Sequence, residues 1–244
     1  PVVQAQARGQ VDLLAKPGTA AGGSGFAAVL QERLLRLACA AEEGAVARRA
    51  MPDRFDIVAI GASTGGVGAL GDVLRSVPET FRAPILVTQH LPPAFMAGFA
   101  RQIALLARRP AQIATCETHV LSDHIYVAPG DGHLCLCGTA ERPVIRLSHT
   151  RAATGCMPSV DPMFESVARL FGPRALGVVL TGMGRDGTCG AGAIVRAGGM
   201  VVVQDRGSSV VWGMPGSVLN AGHATAALPP PEIGRLFAGG GETR

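Results

Sequence analysis

The sequence predicts an α/β fold: a doubly wound, mainly parallel sheet with helices on both faces. Three observations carry that expectation. Short continuous apolar runs such as Ile85-Leu86-Val87, Leu176 to Leu180 and Met200 to Val203 alternate with stretches of helical spacing. Continuous rather than alternating apolar strands suit a parallel sheet covered on both faces. Glycine and proline, at 33 and 17 residues, call for many tight connections between short elements. Finally, 244 residues of which 48% are hydrophobic suffice for one full core.

Residues 1–50 differ in pattern from the rest of the chain. Val11-Asp12-Leu13-Leu14-Ala15-Lys16-Pro17 reads as a short strand ending in a Lys-Pro turn, and Gly18 to Gly25 as a flexible connection. Phe26 to Arg49 has helical spacing, with Leu30, Leu34, Leu35 and Leu37 on or near one face. One strand and one helix cannot form a core alone, and Pro1 is not a natural initiator. The segment is therefore expected to be the tail of a domain whose front is absent. From Arg54 strands are predicted over 56–60, 84–89, 124–128, 133–137, 143–147, 175–181 and 199–204. Helices are predicted over 66–76, 93–108, 160–171, 187–197 and 215–221. Residues 124–147 lack an intervening helix, which predicts an antiparallel excursion there.

Composition excludes several function classes. An aromatic share of 4% offers no base- or sugar-stacking platform. The formal charge of +4 comes almost wholly from scattered arginines, Lys16 being the only lysine, so no nucleic acid is expected as partner. The six cysteines (Cys39, Cys116, Cys135, Cys137, Cys156 and Cys189) form no C-x-x-C pair and read as reduced thiols. There is no charged-then-apolar leader, and no apolar run approaches the ~18–20 residues that span a bilayer. A soluble, cytoplasmic chain without membrane insertion is expected.

Open α/β sheets place their sites outside the carboxyl ends of the strands. Three reactive residues fall there. Ser63 lies in the small-residue turn Gly61-Ala62-Ser63-Thr64-Gly65-Gly66, between a strand and a helix, beside free N–H groups at the helix N-terminus. His90 follows the run Ile85 to Gln89, and Asp186 follows Leu176 to Leu180 in Thr181-Gly182-Met183-Gly184-Arg185-Asp186-Gly187. Serine, histidine and aspartate on one sheet edge are the parts of a nucleophile, base and orienter set. The chain order Ser, His, Asp and the missing G-x-S-x-G elbow differ from the α/β-hydrolases. The competing reading is a nucleotide- or anion-binding module that uses the Gly61-Gly66 turn as a phosphate cradle, although the turn breaks the G-x-G-x-x-G fingerprint and no Gly-Lys-Ser/Thr follows. His133 is the second choice as base, and Asp131 or Asp161 would replace Asp186 as orienter if that residue pointed away. His119, His124, His149 and His223 have no convincing partner, and no spacing supports a metal site.

Six stretches in order resemble the chemotaxis protein-glutamate methylesterase family. They are Ile60 to Gly66, Gln89-His90-Leu91-Pro92-Pro93, Tyr126-Val127-Ala128-Pro129-Gly130 with His133, Pro158-Ser159-Val160-Asp161, Leu180 to Gly187, and Ser208-Ser209-Val210-Val211-Trp212-Gly213-Met214-Pro215. The resemblance runs from about residue 55 to about 229. It implies a serine hydrolase that cleaves glutamate γ-methyl esters on the cytoplasmic helices of chemoreceptors, and that also deamidates receptor glutamines. It implies Ser63 as nucleophile, His90 as general base and Asp186 as orienter, with the Met183 N–H and the turn at Thr64 stabilising the oxyanion. No metal and no organic cofactor is implied. Residues 1–50 then resemble the end of a receiver domain plus linker, 54–237 the catalytic domain and 238–244 a tail. A chemotaxis histidine kinase would act on the receiver domain of the full-length protein. Two departures, Arg206 and Gly216, stand where the family often has an acidic and a basic residue, and are expected to affect contacts at the substrate surface.

Overall fold

The computed structural model describes residues 54–238. The strand expected over 11–17, the helical stretch over 26–49 and the tail beyond 238 lie outside the described residues. Along the chain come β1 (Ile57–Ala62), α1 (Gly66–Arg75), β2 (Ile85–Gln89), α2 (Pro93–Ala107), β3 (Ala111–Ile113), β4 (Ile125–Val127), β5 (His133–Gly138) and β6 (Pro143–Ser148). There follow α3 (Val160–Phe171), β7 (Ala175–Val179), α4 (Thr188–Arg196), β8 (Met200–Gln204), α5 (Met214–Asn220), β9 (Ala226–Leu228) and α6 (Pro230–Arg235).

Seven strands form one sheet in the order β3-β4-β2-β1-β7-β8-β9, and every pairing within it is parallel. The antiparallel excursion is the separate pair β5–β6, with His133 opposite Ser148 and Gly138 opposite Pro143. It is narrower than the sequence suggests, because β4 stays in the main sheet between β2 and β3. Strands β3 and β9 and helix α6 are not anticipated by the sequence pattern. Each of these strands has three residues, too few for a period of two to register.

The continuous apolar strands are buried on both faces. In β1, Val58 and Ile60 join a cluster with Leu70 and Val73 of α1, Phe99 and Ile103 of α2, and Ile233 of α6. Ile57 and Ala59 face the other way, into a cluster with Phe164 and Val167 of α3, Ile194 of α4, Val218 of α5 and Leu134 and Ile145 of the β5–β6 pair. The result is a three-layer sandwich. No helix among the described residues is long and apolar enough to cross a membrane.

The strand order positions the site. The chain leaves β1 for β2 on one side, and later returns to β7 on the other. The carboxyl ends of β1 and β7 therefore flank a topological switch point, where connections diverge and leave a crevice.

Candidate functional site

Three strands deliver the three predicted residues to this crevice. Parallel pairing sets Ala62 of β1 opposite Gln89 of β2, so Ser63 and His90 are the next residues out on adjacent strands. The His90 N–H donates to the Ala62 carbonyl at 3.0 Å, which extends the ladder one step beyond the sheet. On the other side, Gly61 pairs with Val179 of β7, and the Ser63 N–H donates to the Thr181 carbonyl at 3.0 Å. The loop that carries Asp186 thus starts against the Ser63 turn.

The turn after β1 is held by backbone and by buried amides rather than by its own hydroxyls. Gly65 adopts φ 79°, a left-handed conformation that starts α1. The Gln89 Nε2 donates to the Ser63 carbonyl at 2.8 Å, and the Gly66 N–H donates to the same oxygen at 2.9 Å. The Thr181 hydroxyl lies 3.0 Å from the Thr64 carbonyl and 3.2 Å from the Val211 carbonyl, and accepts the Val211 N–H at 2.9 Å. Buried Gln204 holds that framework from below, accepting the Thr181 N–H at 2.8 Å and donating to the Ser208 carbonyl at 2.9 Å. Ser63 is half-buried, its hydroxyl bonded to no other described group. Gly182 must be glycine: a Cβ there would stand 2.7 Å from the Ser63 Cβ and 2.5 Å from the Met214 sulfur. The residue after it, Met183, is 74% exposed, and neither its N–H nor that of Thr64 is taken by a described acceptor.

Asp186 lies 1% exposed, pointing at His90. The His90 Nε2 meets Asp186 Oδ2 at 2.8 Å. The same oxygen accepts the Val160 N–H at 2.8 Å, while Oδ1 accepts the Ser159 hydroxyl at 2.6 Å and the Thr154 hydroxyl at 3.2 Å. Burial alone raises such a carboxyl. Here the hydrogen bonds from His90, Ser159 and Val160 outweigh it and hold Asp186 below the ordinary aspartate range. The carboxylate is therefore ionised at neutral pH, and a hydrogen-bonded imidazolium would be stabilised beside it.

The alternatives fall elsewhere. His133 is buried, accepting the Ser159 N–H on Nδ1 at 2.8 Å with Nε2 at 2.9 Å from the Thr150 carbonyl. Both its nitrogens are spent on structure. Asp161 accepts the Gly190 N–H at 2.8 Å, tying α3 to α4, and Asp131 is exposed. The supports Gln89, Ser159 and Thr181 lie within the family motifs, but nothing in their spacing tells what they hold. Cys156 is a member of the site that sequence reasoning misses. Its sulfur, a His90 ring nitrogen and an Asp186 carboxylate oxygen lie within 4.8 Å of one another, a set able to hold a metal that no sequence spacing announces. Burial and the neighbouring Asp186 push the Cys156 thiol up, so by itself it is a neutral thiol and not a nucleophile. Gly216 lies inside the fold. It is buried in α5, where a Cβ would press 2.7 Å from the Trp212 indole nitrogen, so its place is a packed one.

Comparison with known proteins decides the family. The family model described as CheB methylesterase matches residues 58–237. The chain belongs to the CheB methylesterase family. Its catalytic-domain fold is shared with the crystal structure of the Thermotoga maritima CheB methylesterase catalytic domain, at 34% identity and a TM-score of 0.72 over 75% of this chain and 97% of that one. Relatives named protein-glutamate methylesterase/protein-glutamine glutaminase include one from Trichodesmium erythraeum, 43% identical over 72% of this chain and 50% of its own length. Another, from Caulobacter vibrioides, is 42% identical over 75% of this chain and 53% of its own. The chain thus spans about half the length of these CheB relatives.

Proposed function

We propose that the chain is a serine hydrolase that cleaves glutamate γ-methyl esters on chemoreceptor cytoplasmic helices, releasing methanol, and deamidates receptor glutamines by the same route. The observation that carries this reading is the buried, fully hydrogen-bonded Asp186 carboxylate 2.8 Å from His90 Nε2, with His90 one strand spacing from Ser63. Membership of the CheB methylesterase family supports the substrate class.

The mechanism follows from which nitrogen is occupied. Nε2 faces Asp186, so Nδ1 is left to receive the Ser63 proton. Ser63 Oγ attacks the ester carbonyl, and the developing oxyanion is stabilised by the unengaged N–H groups of Thr64 and Met183. The carbonyl–methoxy bond breaks, and His90 returns its proton to the leaving methoxide. Water then attacks the acyl-enzyme by the reverse sequence and releases glutamate. With a glutamine, ammonia leaves in place of methanol. Asp186 holds the tautomer and stabilises the imidazolium. The hydroxyl–imidazole contact need not be tight before substrate binds. In this reading residues 54–237 form the catalytic domain, the protein works in the cytoplasm, and a receiver domain in a longer protein is the target of a chemotaxis histidine kinase.

The phosphate-cradle alternative gives the His90–Asp186 pair no task. A fluorophosphonate reagent separates the two. The esterase reading predicts one adduct per chain, mapped by mass spectrometry to Ser63; an unlabelled, folded chain sinks it.

A further inference from the structure

We propose that His90, Cys156 and Asp186 form a binding site for a thiophilic divalent cation, zinc in type, whose occupation holds the esterase off. The inhibitory half rests on His90 being the base; the site itself does not. One sulfur, one imidazole nitrogen and one carboxylate oxygen lie within 4.8 Å of one another, drawn from three segments. Zinc binds these three donor types at about 2.0–2.3 Å, and a tetrahedron of such bonds sets ligand atoms roughly 3.3–3.7 Å apart. The three atoms, within 4.8 Å of one another, would have to shift by about 1 Å to reach that spacing.

The donor mix selects the ion. Magnesium and calcium prefer all-oxygen shells, whereas a thiol and an imidazole favour zinc and its neighbours. Three protein ligands with one position left for water is the pattern of an open zinc site. The surroundings also fit. Asp186 Oδ1 is fixed by Ser159 and Thr154, and Oδ2 keeps the Val160 N–H when His90 turns to a metal. A ligating carboxylate needs such outer partners to hold its orientation. His90 retains 18% side-chain exposure, so an ion can enter from solvent.

Binding displaces the Cys156 thiol proton to solvent and commits a His90 lone pair to the metal. An imidazole so committed, and parted from Asp186, cannot carry the Ser63 proton. The cation would thus compete with ester hydrolysis at the very residues the chemistry uses, and the brake would depend on Cys156, which has no step in the reaction.

The test is calorimetric titration of the metal-free full chain with zinc alone, with cobalt(II) absorption reporting thiolate ligation. We expect one zinc per chain and a cobalt–thiolate charge-transfer band. Affinity should fall at least about tenfold in Cys156→Ser and, separately, in His90→Gln. Cys116→Ser and Cys189→Ser, at exposed thiols, should bind as the wild type does. Ester hydrolysis should be slowed by zinc in the wild type, spared in Cys156→Ser at the same zinc concentration, and indifferent to magnesium. Zinc affinity unchanged in both Cys156→Ser and His90→Gln, or lost with Cys116 or Cys189, would overturn the site. Cys156-dependent binding without inhibition would overturn the brake. A metal-free chain that binds zinc through Cys156 yet hydrolyses no ester would sink the esterase reading and leave the site standing.

Discussion

Asp186 concentrates the energetics of the site in one carboxylate. Its oxygens take four hydrogen bonds, two from the segment 154–159, one from the start of α3 and one from His90. Asp186→Asn keeps the shape but reverses a donor and an acceptor, favouring the wrong imidazole tautomer; turnover should fall on the order of 10⁴-fold. Ser63→Ala should lose about 10⁴- to 10⁶-fold with an unchanged melting temperature, since the Ser63 hydroxyl holds nothing in place. Ser159→Ala is subtler. It removes a 2.6 Å hydrogen bond to an ionised group, worth about 1.5–3 kcal/mol. Because that bond helps to hold the Asp186 pKa down, its loss lets the carboxylate protonate at a higher pH. The titration of the Asp186 carboxyl, followed by NMR, should move toward neutral in Ser159→Ala; an unmoved titration would show that Ser159 only packs.

At the scale of elements, the site exists because the ends of β1, β2 and β7 adjoin, and contacts between loops keep them in register. Gly182→Ala should cost activity well beyond its effect on the melting temperature, because the new methyl meets the Ser63 turn. Normal turnover in that variant would contradict the tight approach of the two loops. The α3–α4 contact carries a pH signature of its own. Burial raises Asp161 to about 6, with the Gly190 N–H opposing and Asp186 adding to the rise. A folded-state pKa above the unfolded value of about 3.9 means that stability is fully present below the latter and lost as pH rises through about 6. Asp161→Asn removes that loss, so its melting temperature should gain on the wild type between pH 4 and pH 6, and the difference should then stay constant above. A constant difference through the lower of these ranges would contradict the raised pKa. Legibility in the sequence follows the same geometry. Ser63, His90 and Asp186 can be found because each closely follows an apolar run that ends at the sheet edge. Cys156 cannot: it sits in an irregular stretch 30 residues before Asp186, and only the fold brings the two together. Gly216 reads as a surface departure because a sequence does not reveal that Trp212 lies on it, and β3 and β9 are too short to leave a period.

For the whole molecule, the described unit closes on itself. Both faces of the sheet are covered by helices and the β5–β6 pair drawn from residues 54–238. A fragment of those residues should unfold in one cooperative transition with the native far-ultraviolet spectrum; a broad, non-cooperative melt would mean that the core needs more of the chain. The strand order that closes the core also places the site, since the switch between β1 and β7 is where the Ser63 turn and the loop that carries buried Asp186 face each other. The most direct test of the account is methanol release from a methylated chemoreceptor cytoplasmic fragment by the wild-type chain and by Ser63→Ala, in metal-free buffer. The account predicts steady release by the wild type and a loss of at least about 10⁴-fold in the variant. Release by Ser63→Ala within tenfold of the wild type, or none from a folded wild type, would contradict it.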